Sequence, residues 1–459
     1  MWDLKIIDTD KSLYIAIADA IERDIRLGIL KPGEKMPTHR ELANTVGVNV
    51  TTITRAYREA EKRGLVTATV GSGTFITADL GCNPSLVDTE KNEKKLIEMG
   101  LVLPLYSIEP DIRIVLDKAI HNNNLSQFME YTSPQGLFRH RQIGADWIRR
   151  FGITVDVDNI IITSGAQHAI NCILSSIFEY GDHIAVDCLT YPGIKTAAKR
   201  YGIHLEAVEM DDEGMTPQGL ETICNRNDIK GVYTVSSMQN PTNAIMSKQR
   251  REDISQIIKK NNLILIEDDL YGFLLSGDAC PLTQHVPEQS IYIAGISKAF
   301  YAGLRIGFVA APRKLCNRIS QAVVDTVWMA PSLNAEIACE CIVSGLADEI
   351  INLKRIEIQK RALLMSEKLQ GYNYKYKINS MFVWLRLPDY WSSSSFEKAV
   401  SDNGVNVISS EKFTLGGTNP PNYIRISLTG ANNYIELEKG LDIILRVLNR
   451  ELGSAVGVL

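Results

Sequence analysis

The chain has 459 residues, 45% hydrophobic and 22% charged, with a formal net charge of −5. That length and balance suit about three compact soluble units and exclude disordered, collagen-like and disulfide-stapled chains. Its eight cysteines form no CxxC pair and no His/Cys cluster at zinc spacing, so they read as free thiols of a reducing, cytoplasmic protein with no metal site. The opening MWDLKIIDTDKSLY lacks the basic and apolar regions of a signal peptide, and no stretch approaches the roughly 18 apolar residues of a membrane span.

Charge is unevenly divided. Residues 11–78 hold ten Lys and Arg against seven Asp and Glu, a net of +3, which leaves −8 for the rest of the chain. This asymmetry suits a nucleic-acid module on an acidic body. Within residues 12–77, Leu13, Ile17, Ile21 and Ile25 recur at four-residue spacing and predict one apolar helix face, with Ser12 and Gly28 as its caps. Thr38 and Glu41 form a capping box for a short second helix that turns Leu42, Ala43 and Val46 inward and stops at Gly47. Asn49 caps a third helix whose inner face is Ile53, Ala56, Tyr57 and Ala60, ending at Gly64. The run LVTATVGSGTFI then predicts a hairpin wing around Gly71, Ser72 and Gly73.

Three helices and a wing are the winged helix-turn-helix plan, in which the start of the third helix faces the bases of double-stranded DNA. The expected base readers are therefore Thr51, Thr52 and Arg55, with Arg40 and the wing glycines Gly71 and Gly73 at the phosphates. The stretch LKPGEKMPTHRELANTVGVNVTTITRAYREAEKRGLVTATVGSGTF resembles the GntR family of bacterial regulators. Many members carry an arginine where this chain has Val50, so one base contact implied by the resemblance is missing.

Residues 78–100 mix Pro, Gly, Asn and charge, which suits a flexible tether or, as the alternative, an ordered segment lying on the body, with a short helical turn expected near LIEM. Beyond them, residues 101–459 are expected to form the body, with a large part at about 150–325 and a small α+β part at about 330–459. Seven β-rich runs, NIIIT, HIAVD, HLEAVEM, GVYTVSS, LILIED, IYIAG and RIGFVAA, alternate with helical stretches. They predict an α/β fold whose mixed, mostly parallel seven-stranded sheet is covered on both faces. Ligands of such sheets sit at the carboxyl ends of the strands. There, Ser164, Gly165, Ala166 and Gln167 open a helix suited to phosphate, LILIED ends on Asp268 with Tyr271 three residues on, and Lys298 and Arg305 follow IYIAG. An amine, a carboxylate and an anion site are what a pyridine aldehyde phosphate requires.

The stretches YTSPQGLFRHRQIGADWI, SGAQHAI, YPGI, QNPTNAIMS, EDDLYGFL, GISKAFYAGLRIGFVAAP and YIRISLTG resemble the fold-type I, aspartate-aminotransferase-like family in order. The resemblance implies pyridoxal 5'-phosphate (PLP) as cofactor and Lys298 as the Schiff-base lysine that forms the internal aldimine. It also implies Asp268 at the ring nitrogen, Asn240 and Tyr271 at the ring hydroxyl, Tyr191 on the ring face, and Ala166, Gln167 and Arg305 at the phosphate. Arg425 would take the carboxylate of an amino-acid effector. Tyr131 would reach the neighbouring subunit's site in a homodimer with head-to-tail body packing. Two positions depart from the family pattern: Gly295 replaces a hydroxyl residue three before the lysine, and Asn243 stands where NPTG has glycine.

The whole arrangement resembles the MocR subfamily of GntR regulators, which implies a transcription factor that senses PLP or a small amine or amino-acid-like effector. A residual transaminase half-reaction fits that reading. An active aminotransferase with an accessory DNA-binding domain is the alternative, and a winged-helix repressor on an empty scaffold is a third. A membrane partner is not expected.

Overall fold

The computed structural model describes residues 12–26, 29–30, 34–62, 65–69, 73–76, 96–121, 125–275, 281–416 and 418–449. The chain divides into two units, residues 1–92 with 410–421, and residues 93–409 with 422–459.

In the first unit α1 (Leu13–Arg26), α2 (His39–Val46) and α3 (Val50–Lys62) precede a hairpin of β1 (Val66–Thr69) and β2 (Gly73–Ile76). Ile17, Ile21 and Ile25 are buried against Leu42, Ala43, Ile53, Ala56, Tyr57 and Ala60, as their spacing predicts. Leu13 departs from that expectation: it opens the helix and is 43% exposed, beyond the reach of the core. The capping box forms as written, with Thr38 N–H donating to Glu41 Oε2 at 2.8 Å and Glu41 N–H to Thr38 Oγ1 at 3.3 Å. Gly47 closes α2 at φ 71°, a left-handed turn that costs glycine nothing. Asn49 Oδ1 then accepts from the Thr51 N–H at 3.0 Å and starts α3. Gly28, Gly64, Gly71 and Ser72, and most of the tether, lie outside the described residues.

In the second unit β3 (Ile97–Glu98) comes first, a strand where a helical turn was expected. Backbone pairing decides this: Ile97 N–H donates to Gly404 O at 2.9 Å and Met99 N–H to Asn406 O at 3.0 Å. Then follow α4 (Arg113–Ile120), α5 (Phe138–Arg149), β4 (Ile160–Thr163), α6 (Ala166–Ile177), β5 (His183–Asp187), α7 (Pro192–Tyr201) and β6 (His204–Val208). A short hairpin, β7 (Met210–Asp211) and β8 (Gly214–Met215), leads to α8 (Pro217–Arg226), β9 (Ile229–Thr234), α9 (Lys248–Lys260) and β10 (Ile264–Asp268). Next are β11 (Ser290–Gly295), β12 (Gly307–Ala310), α10 (Arg313–Val327), α11 (Ser332–Val343) and α12 (Leu346–Lys368). The described residues end on β13 (Tyr374–Lys375), β14 (Phe382–Arg386), α13 (Ser393–Asp402), β15 (Val405–Asn406), β16 (Ile408–Ser409), β17 (Tyr423–Ser427) and α14 (Tyr434–Leu448).

All seven predicted runs form strands of one sheet, in the order β4-β12-β11-β10-β9-β5-β6. Only β12 runs antiparallel to its neighbours, so the sheet is mixed and mostly parallel. Its strands are buried almost throughout, as expected for a sheet with helices on both faces. A second sheet, β13-β14-β17-β16, packs with α13 and α14 around a separate core that includes Met99, Phe396, Ile424 and Leu441. No helix among the described residues is long and apolar enough to cross a membrane.

Candidate functional site

In the first unit, Arg40 on α2 and Thr51 and Arg55 on α3 are exposed, and Thr52 is half-buried. The Thr51 hydroxyl donates to Asn49 Oδ1 at 3.0 Å, so its lone pairs alone remain free for a partner. Val50 is 40% exposed beside it, an apolar side chain on the first turn of the recognition helix. Lys35, absent from the sequence reading, bridges to Phe75 of the wing and lays its ammonium 5.9 Å from that ring's centroid. Gly73 takes φ 116° there, a backbone conformation that side-chain-bearing residues rarely adopt. Gly71 lies outside the described residues.

In the second unit the strand ends bring the expected residues into one region. Lys298 follows β11, and its Nζ donates to the carbonyl of Val102. Burial, with Arg425 and Arg305 adding repulsion, lowers its ammonium to a pKa of about 8 from the ordinary 10.5. About a tenth of the side chain is therefore neutral amine at pH 7, far more than for an ordinary lysine, and that is the form that attacks a carbonyl carbon. Asp268 ends β10 and is buried, and Tyr233 of β9 donates its hydroxyl to Asp268 Oδ2 at 2.8 Å. Its other oxygen, Oδ1, has no partner among the described residues. Burial raises this carboxyl to about 7; the Tyr233 bond works against that rise and the charge of Asp269 adds to it.

Arg425 on β17 is 5% exposed and donates from Nη1 to Asn240 Oδ1 at 2.5 Å and from Nη2 to Gly100 O at 2.7 Å. Its guanidinium carbon lies 5.5 Å from the Phe382 ring centroid, and Tyr271 meets the same ring edge-on at 5.6 Å. Burial pushes the Tyr271 hydroxyl well above its usual range. Tyr191 caps the start of α7 and is raised to about 12 by burial. Gly193 allows it to lie close to Gln167, since a Cβ there would be 2.2 Å from Tyr191 Cε1 and 2.3 Å from Gln167 Oε1.

The start of α6 has no side-chain cap, and Gly165 before it sits at φ 89°. A Cβ on Gly165 would meet Arg305 Nη2 at 2.6 Å, so the guanidinium lies against this helix start. Arg305 Nη1 also donates to the Ser297 hydroxyl at 2.9 Å. Positive charge at a free helix N-terminus is an anion site. The loop's shape is held by His168, whose Nδ1 accepts from Ser164 N–H at 3.0 Å and so leaves Nε2 to donate to Thr326 Oγ1 at 2.8 Å.

The two departures acquire physical reasons. At Gly295 a Cβ would come within 2.3 Å of Leu270 Cδ2, so Leu270 fills the space that a hydroxyl side chain would need. Asn243 takes φ 64°, which asparagine tolerates better than most residues. Its Nδ2 donates to Phe382 O at 3.0 Å and Lys375 O at 3.3 Å, while its Oδ1 accepts from the Ser380 hydroxyl at 2.5 Å. The side chain thus joins the turn after β9 to the strands of the smaller sheet.

Tyr131 stands apart from this cluster, 84% exposed, with its ring 6.0 Å from that of Trp328. Sequence reasoning missed Tyr233 and the buried ion pair of Lys354 Nζ with Glu109 Oε1 at 2.6 Å. Lys354 Nζ also donates to the carbonyl of Lys298 at 3.2 Å. No group of three His, Cys, Asp or Glu among the described residues is placed to hold a metal ion.

The residues fit pyridoxal phosphate. A buried carboxylate oxygen without a partner suits a protonated ring nitrogen, an uncapped helix start with an arginine suits a phosphate, and Lys298 supplies the amine.

Comparison with known proteins agrees with both halves. Residues 13–76 match the family of bacterial regulatory proteins, gntR family, and residues 107–442 match aminotransferase class I and II. The chain is 34% identical to the uncharacterized HTH-type transcriptional regulator YdeF of Bacillus subtilis (strain 168), over 98% of this chain and 97% of the relative. It is 25% identical to the 2-aminoadipate transaminase of Thermus thermophilus, over 63% of this chain and 74% of that enzyme. Among solved structures, Pyrococcus horikoshii kynurenine aminotransferase superposes with a TM-score of 0.72 at 23% identity, covering 78% of this chain and 92% of that one.

Proposed function

Because the chain belongs to the GntR family of bacterial regulatory proteins, with an aminotransferase class I and II body as in the MocR type, we propose that it is a PLP-dependent transcriptional regulator. Its head, residues 12–77, binds an operator in double-stranded DNA, and its body, residues 101–459, senses PLP or an amino-acid-like effector. One observation supports this most. The same chain holds a half-buried, desolvated amine, a buried carboxylate and a buried arginine together, and carries a separate head with Arg40, Thr51 and Arg55 exposed.

When bound, PLP supplies an aldehyde that takes up amines and a ring that draws electrons from them. The chain's own residues do the rest. Lys298 presents a neutral amine, and Asp268 Oδ1 accepts a proton-bearing ring nitrogen while Tyr233 fixes the other oxygen. Ala166, Gln167 and Arg305 hold the phosphate, Tyr191 covers the ring, and Asn240 and Tyr271 serve its hydroxyl. Arg425 receives an effector carboxylate by exchanging its bonds to Asn240 and Gly100. Tyr131, exposed in one chain, completes the site of a partner subunit in a homodimer. A ligand that favours one arrangement of the body over another then shifts what the tethered heads bind.

A working aminotransferase with an accessory DNA-binding domain is the second reading, favoured by the complete set of Lys298, Asp268 and Arg425 and by the transaminase relative. Turnover separates the two. As a regulator, the protein is expected to protect an operator in footprinting and to perform at most a half-reaction with amino acids. Sustained keto-acid production that Lys298→Ala abolishes would establish the enzyme instead.

A further inference from the structure

The loop at the start of α6 is tied to α10 through one side chain. Ser164 N–H donates to His168 Nδ1 at 3.0 Å, and the other ring nitrogen, Nε2, lies 2.8 Å from Thr326 Oγ1. The Thr326 hydroxyl directs its own hydrogen to Ala322 O at 2.7 Å, so its oxygen accepts from the ring. The order of donors and acceptors is thereby fixed: Nδ1 accepts, Nε2 carries the hydrogen, and the ring is neutral. Cys172 Sγ, one turn further along α6, lies 3.2 Å from the same Nε2. The tie meets the loop where its backbone is most constrained. Gly165 follows Ser164 at φ 89°, with the Arg305 guanidinium against it. A Cβ on Gly307 of β12 would lie 3.2 Å from Gly165 C and 3.3 Å from Ala166 N. The loop backbone thus packs on β12 and Arg305, and His168 takes its first N–H.

We propose that His168 is a positioning residue for the phosphate of the cofactor: it holds the loop so that the free N–H groups at the start of α6 converge on the phosphate, and it does so only as a neutral ring. This rests on pyridoxal phosphate as the cofactor, and it adds a residue that acts through the loop. A protonated ring would set an N–H at Nδ1 against the N–H of Ser164, two donors face to face, and the tie would be lost. Around the ring, Cys172 faces it from α6 and Thr326 from α10, Arg305 stands across the loop, and Asp325 of α10 acts on Cys172. Burial holds the imidazole below its ordinary 6.5, so the ring is neutral at pH 8 and takes up its proton only in acid. The grip on phosphate therefore weakens as pH falls.

The test uses the full-length protein and reads two signals: the dissociation constant of PLP, followed by absorbance, and amide hydrogen exchange of residues 164–167 in the cofactor-free protein. His168→Leu removes both ring bonds. At pH 8 it is expected to weaken PLP about tenfold and to raise exchange in the loop. His168→Asn sets an amide oxygen where Nδ1 stands and has no ring to titrate, so it is expected to bring both signals back to within about threefold of the wild type. Thr326→Val removes the acceptor of Nε2–H from outside the loop and is expected to weaken PLP about threefold. A merely structural histidine would not produce the pH dependence. The ratio of the wild-type to the His168→Asn dissociation constant, in which protonation of PLP itself cancels, is expected to rise about fivefold from pH 8 to pH 5. Neither this ratio nor Thr326→Val needs the leucine variant to fold. A His168→Leu protein that binds PLP as tightly as the wild type, a His168→Asn protein as weak as His168→Leu, or a ratio constant with pH overturns the proposal and leaves the cofactor assignment standing. A wild type that takes up no PLP overturns that assignment as well.

Discussion

Tyr233 donates its hydroxyl to one oxygen of Asp268 at 2.8 Å and leaves the other oxygen without a partner. Both side chains are buried. This asymmetry sets what the carboxyl does in the absence of a cationic partner. Burial lifts Asp268 from 3.8 to about 7, so between those values the folded protein keeps a proton that the unfolded chain releases. Stability from this group is complete below about pH 4 and is lost as pH rises through about 7. Denaturant titrations of the cofactor-free protein are expected to show a lower stability at pH 8 than at pH 5. Asp268→Asn is expected to remove a few kcal/mol of that difference. Asp187, also raised to about 7 by burial, adds a component in the same window that Asp187→Asn removes.

Cofactor uptake has the opposite pH dependence. The Lys298 ammonium loses its proton near pH 8, so the fraction of reactive amine grows as pH rises through that value. The second-order rate of PLP incorporation, followed by absorbance, is expected to increase about tenfold per unit below pH 8 and to level above it. A rate flat from pH 6 to 9 would contradict the depressed value.

Asn243 replaces a glycine of the family pattern and makes three side-chain hydrogen bonds to the segment 375–382. Asn243→Gly relieves the left-handed backbone yet removes these three bonds, while the Ser380 hydroxyl keeps Phe382 O and N–H as partners. Asn243→Ala removes the same bonds and adds strain. The expected order of stability is wild type, then Gly, then Ala, with Ala costing roughly 2–4 kcal/mol in denaturant unfolding. A glycine variant as stable as the wild type would show that these bonds contribute nothing net.

The buried pair of Lys354 and Glu109 is expected to behave as a unit. Lys354→Met alone leaves Glu109 buried without its cation and costs about 3–5 kcal/mol, whereas Lys354→Met with Glu109→Leu recovers much of that loss. Unfolding of the two variants measures the difference directly.

For the head, Arg55→Ala and Lys35→Ala are each expected to weaken operator binding and to lower the salt dependence of log K by about one ion, with absorbance of bound PLP unchanged. Arg55→Ala should also relax sequence preference, since it stands on the recognition helix, whereas Lys35→Ala, beside the wing, should weaken all sequences alike.

How much of this was legible from residues alone depends on the distance between partners. The capping box at Thr38 and Glu41, the inner face of α1 from Ile17 onward and the seven strands are local patterns, and they appear as read. The chemical set at the strand ends was legible because the sheet's topology fixes where those ends converge. Tyr233 was hidden because its contact with Asp268 crosses between adjacent strands, and a tyrosine inside an apolar run reads as core. Lys354 looked like a solvated charge on a long helix, and only its distant partner Glu109 makes it buried. Near LIEM, propensity suggested a turn of helix, and the unpaired edge at Gly404 and Asn406 overrode it.

The segment of residues 97–102 has one more consequence, concerning the order in which the chain takes shape. Its partners are Lys298, Asn406 and Arg425, and Glu109 waits for Lys354, 245 residues later. Among the described residues, the head's core cluster draws on residues 14–76. During synthesis, the DNA-reading module can therefore complete this core while the first residues of the body still lack every one of these partners. Contacts that span so much chain form late, after the loop-closure cost has been met. A ribosome-bound chain is thus expected to carry a finished head well before it carries a sensor able to restrain it.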